Sequence, residues 1–329
     1  MRRRRPPWAA HGPSFWKARI AMFSVGMIGA GIIGASHLAA VAGHPDTRLA
    51  AVADIAPGRA QQAAAPYGAH AYESYEEMLE LVIINLPHGL HEACVLACAE
   101  KGIHILLEKP MSVSYASCLR MNEACEKNGV LLQVGHVQRY IPQNRAARAL
   151  IESGKLGALA MISDLRTNNY FQPGRPRWFL EKAMAEGGIS INYGAHSLDK
   201  ICYLTQSDIA WATGSCTYLQ PGTDVDGSAQ MLLRTSSGIS ASISLCGYSV
   251  VPIDETMLFF ANGSLRLHTG SDLSVTCGSG YEAVDTSSYP NAFEAQWADF
   301  ISGVRAGRIL YCDGTYGASI VRTIELLYH

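Results

Sequence analysis

The sequence predicts an α/β chain in two parts: a parallel sheet wrapped by helices, then an α+β part with a large, mostly antiparallel open sheet. Two observations carry this. Up to about residue 135, short apolar runs alternate with helix-like segments, the rhythm of a parallel sheet covered on both faces. From Arg145 the runs alternate apolar with polar residues, as in Ile239-Ser240-Ala241-Ser242-Ile243-Ser244-Leu245, which marks strands with one buried and one accessible face.

The first element is the run Met22 to Ile28, read as a buried strand. It breaks into Gly29-Ala30-Gly31-Ile32-Ile33-Gly34, and Ala35 to Ala42 reads as a helix. Gly29 makes the turn out of the strand, Gly31 lets backbone approach a pyrophosphate, and Gly34 lets helix and strand pack closely. The phosphates would rest on the helix N-terminus, where unpaired N–H groups point at them. A second run, Leu49 to Ala53, ends in Asp54, twenty residues past Gly34, where a carboxylate takes the ribose hydroxyls. An acid there repels a 2′-phosphate, so the expected cofactor is NAD, with NADP less favoured. Together these features make the first part a Rossmann domain.

Further elements follow in order: a helix over Pro57 to Ala65, a short strand at Ala69 to Tyr72, a helix begun by Ser74, and a strand over 81–86. Glu92 to Lys101 is a helix, Ile103 to Leu107 a strand, Ser114 to Lys127 a helix and Val130 to Val134 a strand. One junction is irregular: the helix ending at Glu80 runs directly into the strand at Leu81, where a connecting loop is expected. We read that as a loop missing from the sequence.

In the second part, Arg145 to Ser153 is a helix. Strands are expected at 159–166, 210–219, 229–235, 239–245, 257–261, 264–268 and 273–277, with hairpin turns at Ser237-Gly238 and Asn262-Gly263. Two helices close the chain, Asn291 to Ala306 and Thr315 to Leu327. The expected division is an extension over 1–21, a nucleotide domain over 22–141 and a substrate-binding and oligomerisation domain over 142–329. The open sheet face is a natural surface for a homodimer or homotetramer.

Composition narrows the class. With 48% apolar residues, 16% charged residues and a net charge of −2, the chain is an ordinary globule. The only dense basic block is Arg2 to Arg5, so no nucleic-acid partner is expected. That block before the apolar 20–43 stretch resembles a signal peptide or anchor. The glycine density, Ser24, Ser36, His37 and the intervening prolines argue instead for strand–turn–helix. Met1 to Ala21 is read as a disordered extension, with Met22 a candidate start, and no membrane partner is expected. Nine scattered cysteines without a Cys-x-x-Cys point to reduced thiols and a cytoplasmic location. His88, His91, Cys94 and Cys98 have helical spacing that zinc could use, but among Ala93, Val95, Leu96 and Ala97 the cysteines read as small apolar residues; no metal is expected.

Two stretches could carry chemistry. Glu108-Lys109-Pro110 lies at the carboxyl end of a strand, beside the nucleotide crevice. In Gly187 to Asp199, a helix would put Asn192, His196 and Asp199 on one face. Either alone reads as well as a surface loop or a core histidine.

With the glycine loop and Asp54, these stretches make the sequence resemble the Gfo/Idh/MocA family of nicotinamide-dependent sugar and polyol oxidoreductases, inositol dehydrogenase-like. His91 in Pro87-His88-Gly89-Leu90-His91 and Arg139-Tyr140-Ile141-Pro142 add to the likeness. The resemblance implies hydride transfer between NAD and a secondary alcohol of a sugar, inositol or related polyol. Lys109 would contact the reacting hydroxyl and His196 would move its proton. Asn192 stands where inositol dehydrogenase-like members carry an aspartate, so it cannot place a negative charge beside His196. The cofactor set implied is Gly29, Gly31, Ile32, Ile33, Gly34, Asp54, Leu86, Pro87, His91, Glu108 and Lys109. Substrate contacts are expected from Lys109, Arg139, Tyr170, Trp178, Asn192 and His196, with Arg166, Asn168, Arg175 and Arg177 as further cleft candidates. Two other outcomes fit the same motifs: a bound, regenerated NAD used for net non-redox glycoside cleavage, and a non-catalytic NAD(H) sensor.

Overall fold

The computed structural model describes residues 22–73 and 81–328. The extension over 1–21, the helix expected from Ser74 and the irregular junction at Glu80 lie outside the described residues.

The first sheet is parallel throughout, in the order β3-β2-β1-β4-β5-β6. Its strands are β1 (Phe23–Ile28), β2 (Thr47–Ala53), β3 (His70–Tyr72), β4 (Leu81–Ile84), β5 (His104–Glu108) and β6 (Leu132–Gly135). This is the doubly wound order, and the direction of winding reverses between β1 and β4, where ligands of such sheets bind. Helices α1 (Gly34–Gly43), α2 (Arg59–Ala64), α3 (His91–Glu100) and α4 (Tyr115–Asn128) supply the crossovers. The central strands are apolar along their length because both faces are covered: Val82, Ile84, Ile105 and Leu107 face one cluster, and Val25, Met27, Leu81 and Ile83 the other.

α5 (Pro142–Glu152) leads into the second sheet, ordered β14-β13-β12-β11-β7-β10-β9-β8. Its strands are β7 (Leu159–Asn169), β8 (Ile209–Thr217), β9 (Ser228–Thr235), β10 (Ser240–Cys246), β11 (Tyr248–Phe260), β12 (Gly263–His268), β13 (Asp272–Thr276) and β14 (Glu282–Ala283). Every neighbour pair is antiparallel except β10 with β7. β11 begins nine residues before the sequence suggested, at Tyr248. Its early part carries Pro252 and a register shift between Tyr248 and Ile253, so alternation is lost there.

A short helix, α6 (Lys182–Ala185), precedes the long α7 (Ile189–Thr205), which with α5 covers one face of this sheet. α7 starts at a fixed point: the buried Asp226 carboxylate accepts from Gly188 N at 2.6 Å and Ser190 N at 2.9 Å. These bonds satisfy N–H groups that a helix start leaves unpaired. A Cβ on Gly188 would lie 1.8 Å from the Asp226 carbonyl oxygen, so only glycine fits. The other face stays open, and Met161, Trp211 and Leu232 are exposed there.

The closing helices α8 (Ala292–Ala306) and α9 (Gly314–Glu325) return to the first sheet. Asn291 and Asp313 cap them with side-chain oxygens, as their sequences require. Trp297, Phe300 and Ile301 of α8 fill the core beside β1 and β2, and the Trp297 indole N–H reaches Thr47 Oγ1 at 3.2 Å. α9 is shared: Ala318 and Val321 pack on the first sheet, Ile320 and Ile324 on the second.

Candidate functional site

The nucleotide side is built from backbone. Gly29 has φ +89°, and a Cβ there would sit 2.5 Å from the Asn85 carbonyl oxygen, so the turn out of β1 needs glycine. Nothing lies within 4 Å of a Cβ placed on Gly31. Ile32, 92% exposed, and Ile33 flank this open space. α1 begins without any side-chain cap, leaving its N-terminal N–H groups for an anion. Asp54 Oδ2 accepts from Ala30 N at 2.8 Å and Oδ1 from Ala56 N at 2.8 Å, which ties the end of β2 to the glycine turn. An uncapped helix, an open glycine cradle and a carboxylate at the neighbouring strand end fit a dinucleotide with a free ribose 2′-hydroxyl. Leu86 and Pro87, half-buried just past β4, stand at the same crevice.

Glu108 braces this loop from below. Its Oε1 lies 2.8 Å from His37 Nε2 on α1, and its Oε2 accepts from Lys109 N at 3.2 Å. Burial pushes the Glu108 carboxyl up, but the His37 bond and the Lys109 charge prevail and hold it below its ordinary range. His91 is a correction. It is fully buried, with Nε2 2.9 Å from the Leu86 carbonyl and Nδ1 3.2 Å from that of Met111, so it anchors the loop and does not present itself to a cofactor.

The substrate side is built from side chains far apart in sequence. Lys109 leaves β5 and crosses to α7, where its Nζ donates to Asn192 Oδ1 at 2.8 Å and to the Asn192 carbonyl at 3.0 Å. Burial, with Arg166 nearby, pushes the Lys109 ammonium down to about 8, against the opposing pull of Glu108. His196 sits one helical turn beyond Asn192, on the same face. Its Nδ1 is buried without a partner among the described residues. Burial first, then the charges of Lys109 and Arg166, hold its pKa well below the ordinary histidine value, so the ring is neutral near pH 7. A neutral histidine beside an ammonium pairs a proton acceptor with a cation that stabilises an alkoxide.

Asp199 does not join them. It is fully buried, accepting from Arg139 Nε at 2.7 Å and from the Tyr316 hydroxyl at 2.8 Å. Three residues beyond His196, its side chain has rotated toward α9. Arg139 is therefore a second correction: it is spent on Asp199 and stacks 4.3 Å over the Tyr316 ring, and it is not a substrate contact. Tyr170 is fully buried, with Arg175 stacked 4.1 Å over its ring, and its hydroxyl faces the Asn192 side chain. Arg177 is a solvated residue paired with Glu181. Trp178 is stacked on Phe179 at 3.7 Å and edge-on to His88 at 4.9 Å.

His136 was not singled out from the sequence. It is buried, neither ring nitrogen has a partner among the described residues, and burial takes its pKa down to about 4. It directly follows β6, so the carboxyl-end rule that located Lys109 would have found it. Lys200, fully buried four residues past His196, bonds Asp164 at 2.8 Å and Asp254 at 3.0 Å. Cys94 and Cys98 pack into the apolar core beside α4, and among the described residues no three acidic, histidine or cysteine side chains are placed to hold a metal ion.

Residues 23–136 match the family described as "Oxidoreductase family, NAD-binding Rossmann fold", and residues 144–266 match the "GFO/IDH/MocA C-terminal domain". The chain is 29% identical over 217 residues to 1-carboxy-3-chloro-3,4-dihydroxycyclohexa-1,5-diene dehydrogenase of Comamonas testosteroni, a match covering 64% of this chain and 54%, about half, of that protein. It is 28% identical over 293 residues to inositol 2-dehydrogenase 2 of Saccharopolyspora erythraea, covering 84% of this chain and 81% of that one. The fold superposes with a TM-score of 0.85 on the aldose-aldose oxidoreductase from Caulobacter crescentus, at 23% identity, over 93% of this chain and 96% of the other.

Proposed function

The chain belongs to the Gfo/Idh/MocA family of oxidoreductases, and on that premise we propose that it transfers a hydride between NAD and a secondary alcohol of a sugar, inositol or related polyol. The observation that carries the reading is the Lys109–Asn192 contact, with His196 one turn away, at the carboxyl end of the NAD-binding sheet. The names of relatives, inositol 2-dehydrogenase among them, support the substrate class.

Bound NAD would supply the hydride acceptor; Gly29, Gly31, Gly34 and Asp54 would hold it. Lys109 donates to the substrate hydroxyl and stabilises the charge that grows on oxygen as hydride departs. Neutral His196 takes the hydroxyl proton. Asn192 positions Lys109 through two acceptors and, being uncharged, leaves the lysine pKa low and the histidine unprotonated. In reduction the same groups act in reverse. Trp178 and His88 wall the crevice.

We further propose a nucleotide domain over 22–141 and a substrate and oligomerisation domain over 142–329. Self-association through the open sheet face is supported by exposed Met161, Trp211 and Leu232. A cytoplasmic location is supported by nine cysteines without a disulfide. No helix of the described residues is long and apolar enough to cross a membrane.

The test is absorbance at the NADH band with NAD or NADP and a panel of inositols, aldoses, sugar acids and amino sugars. Reduction of NAD by one group fixes the class. Tight NAD binding without reduction by any alcohol overturns the dehydrogenase reading.

A further inference from the structure

Asp226 takes no part in the reaction above, yet it is fully buried and holds the start of α7 from several sides. Its Oδ1 accepts from Gly188 N at 2.6 Å and from the Tyr328 hydroxyl at 2.8 Å. Its Oδ2 accepts from Ser190 N at 2.9 Å and from Ser190 Oγ at 2.6 Å. Its carbonyl accepts from Ile189 N at 3.1 Å. Three successive residues at the start of α7 thus hang on one residue of the loop between β8 and β9.

A helix start needs less than this. One serine or threonine hydroxyl caps it, whereas burying a carboxylate carries a desolvation cost. What the carboxylate adds is a second point of attachment. Two oxygens on two N–H groups fix the rotation of the helix about its axis as well as its origin. α7 has no side-chain cap of its own. Gly187 and Gly188 precede it, and a Cβ on Gly187 would lie 2.1 Å from the Tyr328 hydroxyl oxygen, so this chain is shaped to the brace.

The reacting groups depend on that rotation. Asn192 lies in the same first turn, its N–H bonded to the Gly188 carbonyl at 3.2 Å. Lys109 Nζ donates to both the side chain and the main-chain carbonyl of Asn192, so the place of the ammonium is set by a turn that Asp226 pins. His196 follows one turn on. The same loop also holds the chain just upstream: Asp224 Oδ1 accepts from Lys182 N at 2.8 Å, and Thr223 Oγ1 donates to the Leu180 carbonyl at 2.7 Å.

We propose that Asp226 is a positioning residue: by gripping Gly188 and Ser190 at two points, it sets the rotation of α7 that brings Asn192 to Lys109 and aligns His196 with them. It acts through α7 and touches neither substrate nor cofactor. The roles of Lys109 and His196 rest on the oxidoreductase reading; the Lys109–Asn192 contact does not.

The experiment is Asp226→Asn, which keeps the shape and exchanges one oxygen for an N–H₂ group. Either orientation of the amide turns that group toward Gly188 N or Ser190 N, so one attachment is lost. The first readout needs no turnover: competitive labelling of Lys109 with a trace amine reagent across pH, read by mass spectrometry. The wild-type midpoint is expected near 8. With Asn192 turned away the ammonium loses two acceptors, so the midpoint should fall by about half a pH unit or more. For any alcohol that reduces NAD, kcat/KM should fall about 10- to 100-fold, the cost of a misplacement of roughly 1 Å, with NAD affinity kept within about twofold. Trp297→Phe, in the core of the first sheet, is the control for lost stability: its melting temperature should fall while the Lys109 midpoint stays. Where Asp226→Asn does not fold, the double variant Ser190→Ala with Tyr328→Phe replaces it. That variant strips the carboxylate of both hydroxyl donors, and a shift in the same direction is expected. A lower melting temperature with the Lys109 midpoint unmoved overturns the proposal and leaves Asp226 a helix cap. A moved midpoint in a protein that reduces no NAD upholds the positioning and overturns the dehydrogenase reading alone.

Discussion

The two walls of the cleft are made by different means. The nucleotide wall is a short local motif, Gly29 to Gly34 with Asp54, whose working groups are backbone N–H donors and one carboxylate at neighbouring strand ends. The substrate wall is assembled from β5, β7 and α7, and most of its polar groups have a second commitment inside the protein. Lys109 holds Asn192, Arg166 shares Asp254 with Lys200, and Arg139 is spent on Asp199. A local wall can be altered without disturbing the fold; an assembled wall mixes support with function, and each residue must be sorted by what it touches.

The largest test of that sorting is Arg139→Met. It strands the buried Asp199 carboxylate, so unfolding in urea should show a loss of about 3–5 kcal/mol. KM of the folded protein should stay within about threefold. A large KM increase at unchanged stability would return Arg139 to the substrate wall. Next, Lys109→Met should lower kcat/KM about 10²–10³-fold by removing a group that stabilises the developing alkoxide. NAD affinity, read by fluorescence titration, should barely change. Comparable losses in both would mean that the walls are not separable.

Gly31→Ala should leave the melting temperature of cofactor-free protein where it is, because the added methyl meets open space. It should weaken NAD binding about tenfold, roughly 1.4 kcal/mol, by occupying the pyrophosphate approach. The smallest effect is a pH limb. Lys109 loses its cation near pH 8, so alcohol oxidation should decline above that value. His196, held well below its ordinary pKa, is already deprotonated at neutrality, and the acid limb should fall below pH 6.5. Lys109→Arg should move the alkaline limb upward; a limb that stays near 8 assigns it to another group.

The same contrast explains what the sequence could convey. The glycine loop, the place of Asp54 at a strand end and the parallel and antiparallel character of the two sheets were legible because motif spacing and apolar patterning fix backbone position. The fates of Arg139 and His91 were not. Each sits close to the crevice along the chain, but its side chain turns inward to Tyr316 or to the Leu86 carbonyl. Helical spacing put Asp199 on the face of Asn192 and His196. Seven residues bring the helix back to within about 20° of that face, but a waiting arginine and tyrosine hydroxyl hold the Asp199 carboxylate toward α9. β11 was foreshortened because its first half has a bulge instead of alternation.

The return of α8 and α9 to the first sheet has a consequence for how the protein is made. Trp297, Phe300 and Ile301 complete a core whose other members precede residue 107. Until residues 292–325 leave the ribosome, the nucleotide sheet keeps an apolar flank uncovered while the whole second sheet is synthesised. Such a nascent intermediate exposes surface that invites association. A fragment ending at residue 141 should therefore aggregate, and co-expressing residues 142–328 should rescue it by supplying the two helices in trans.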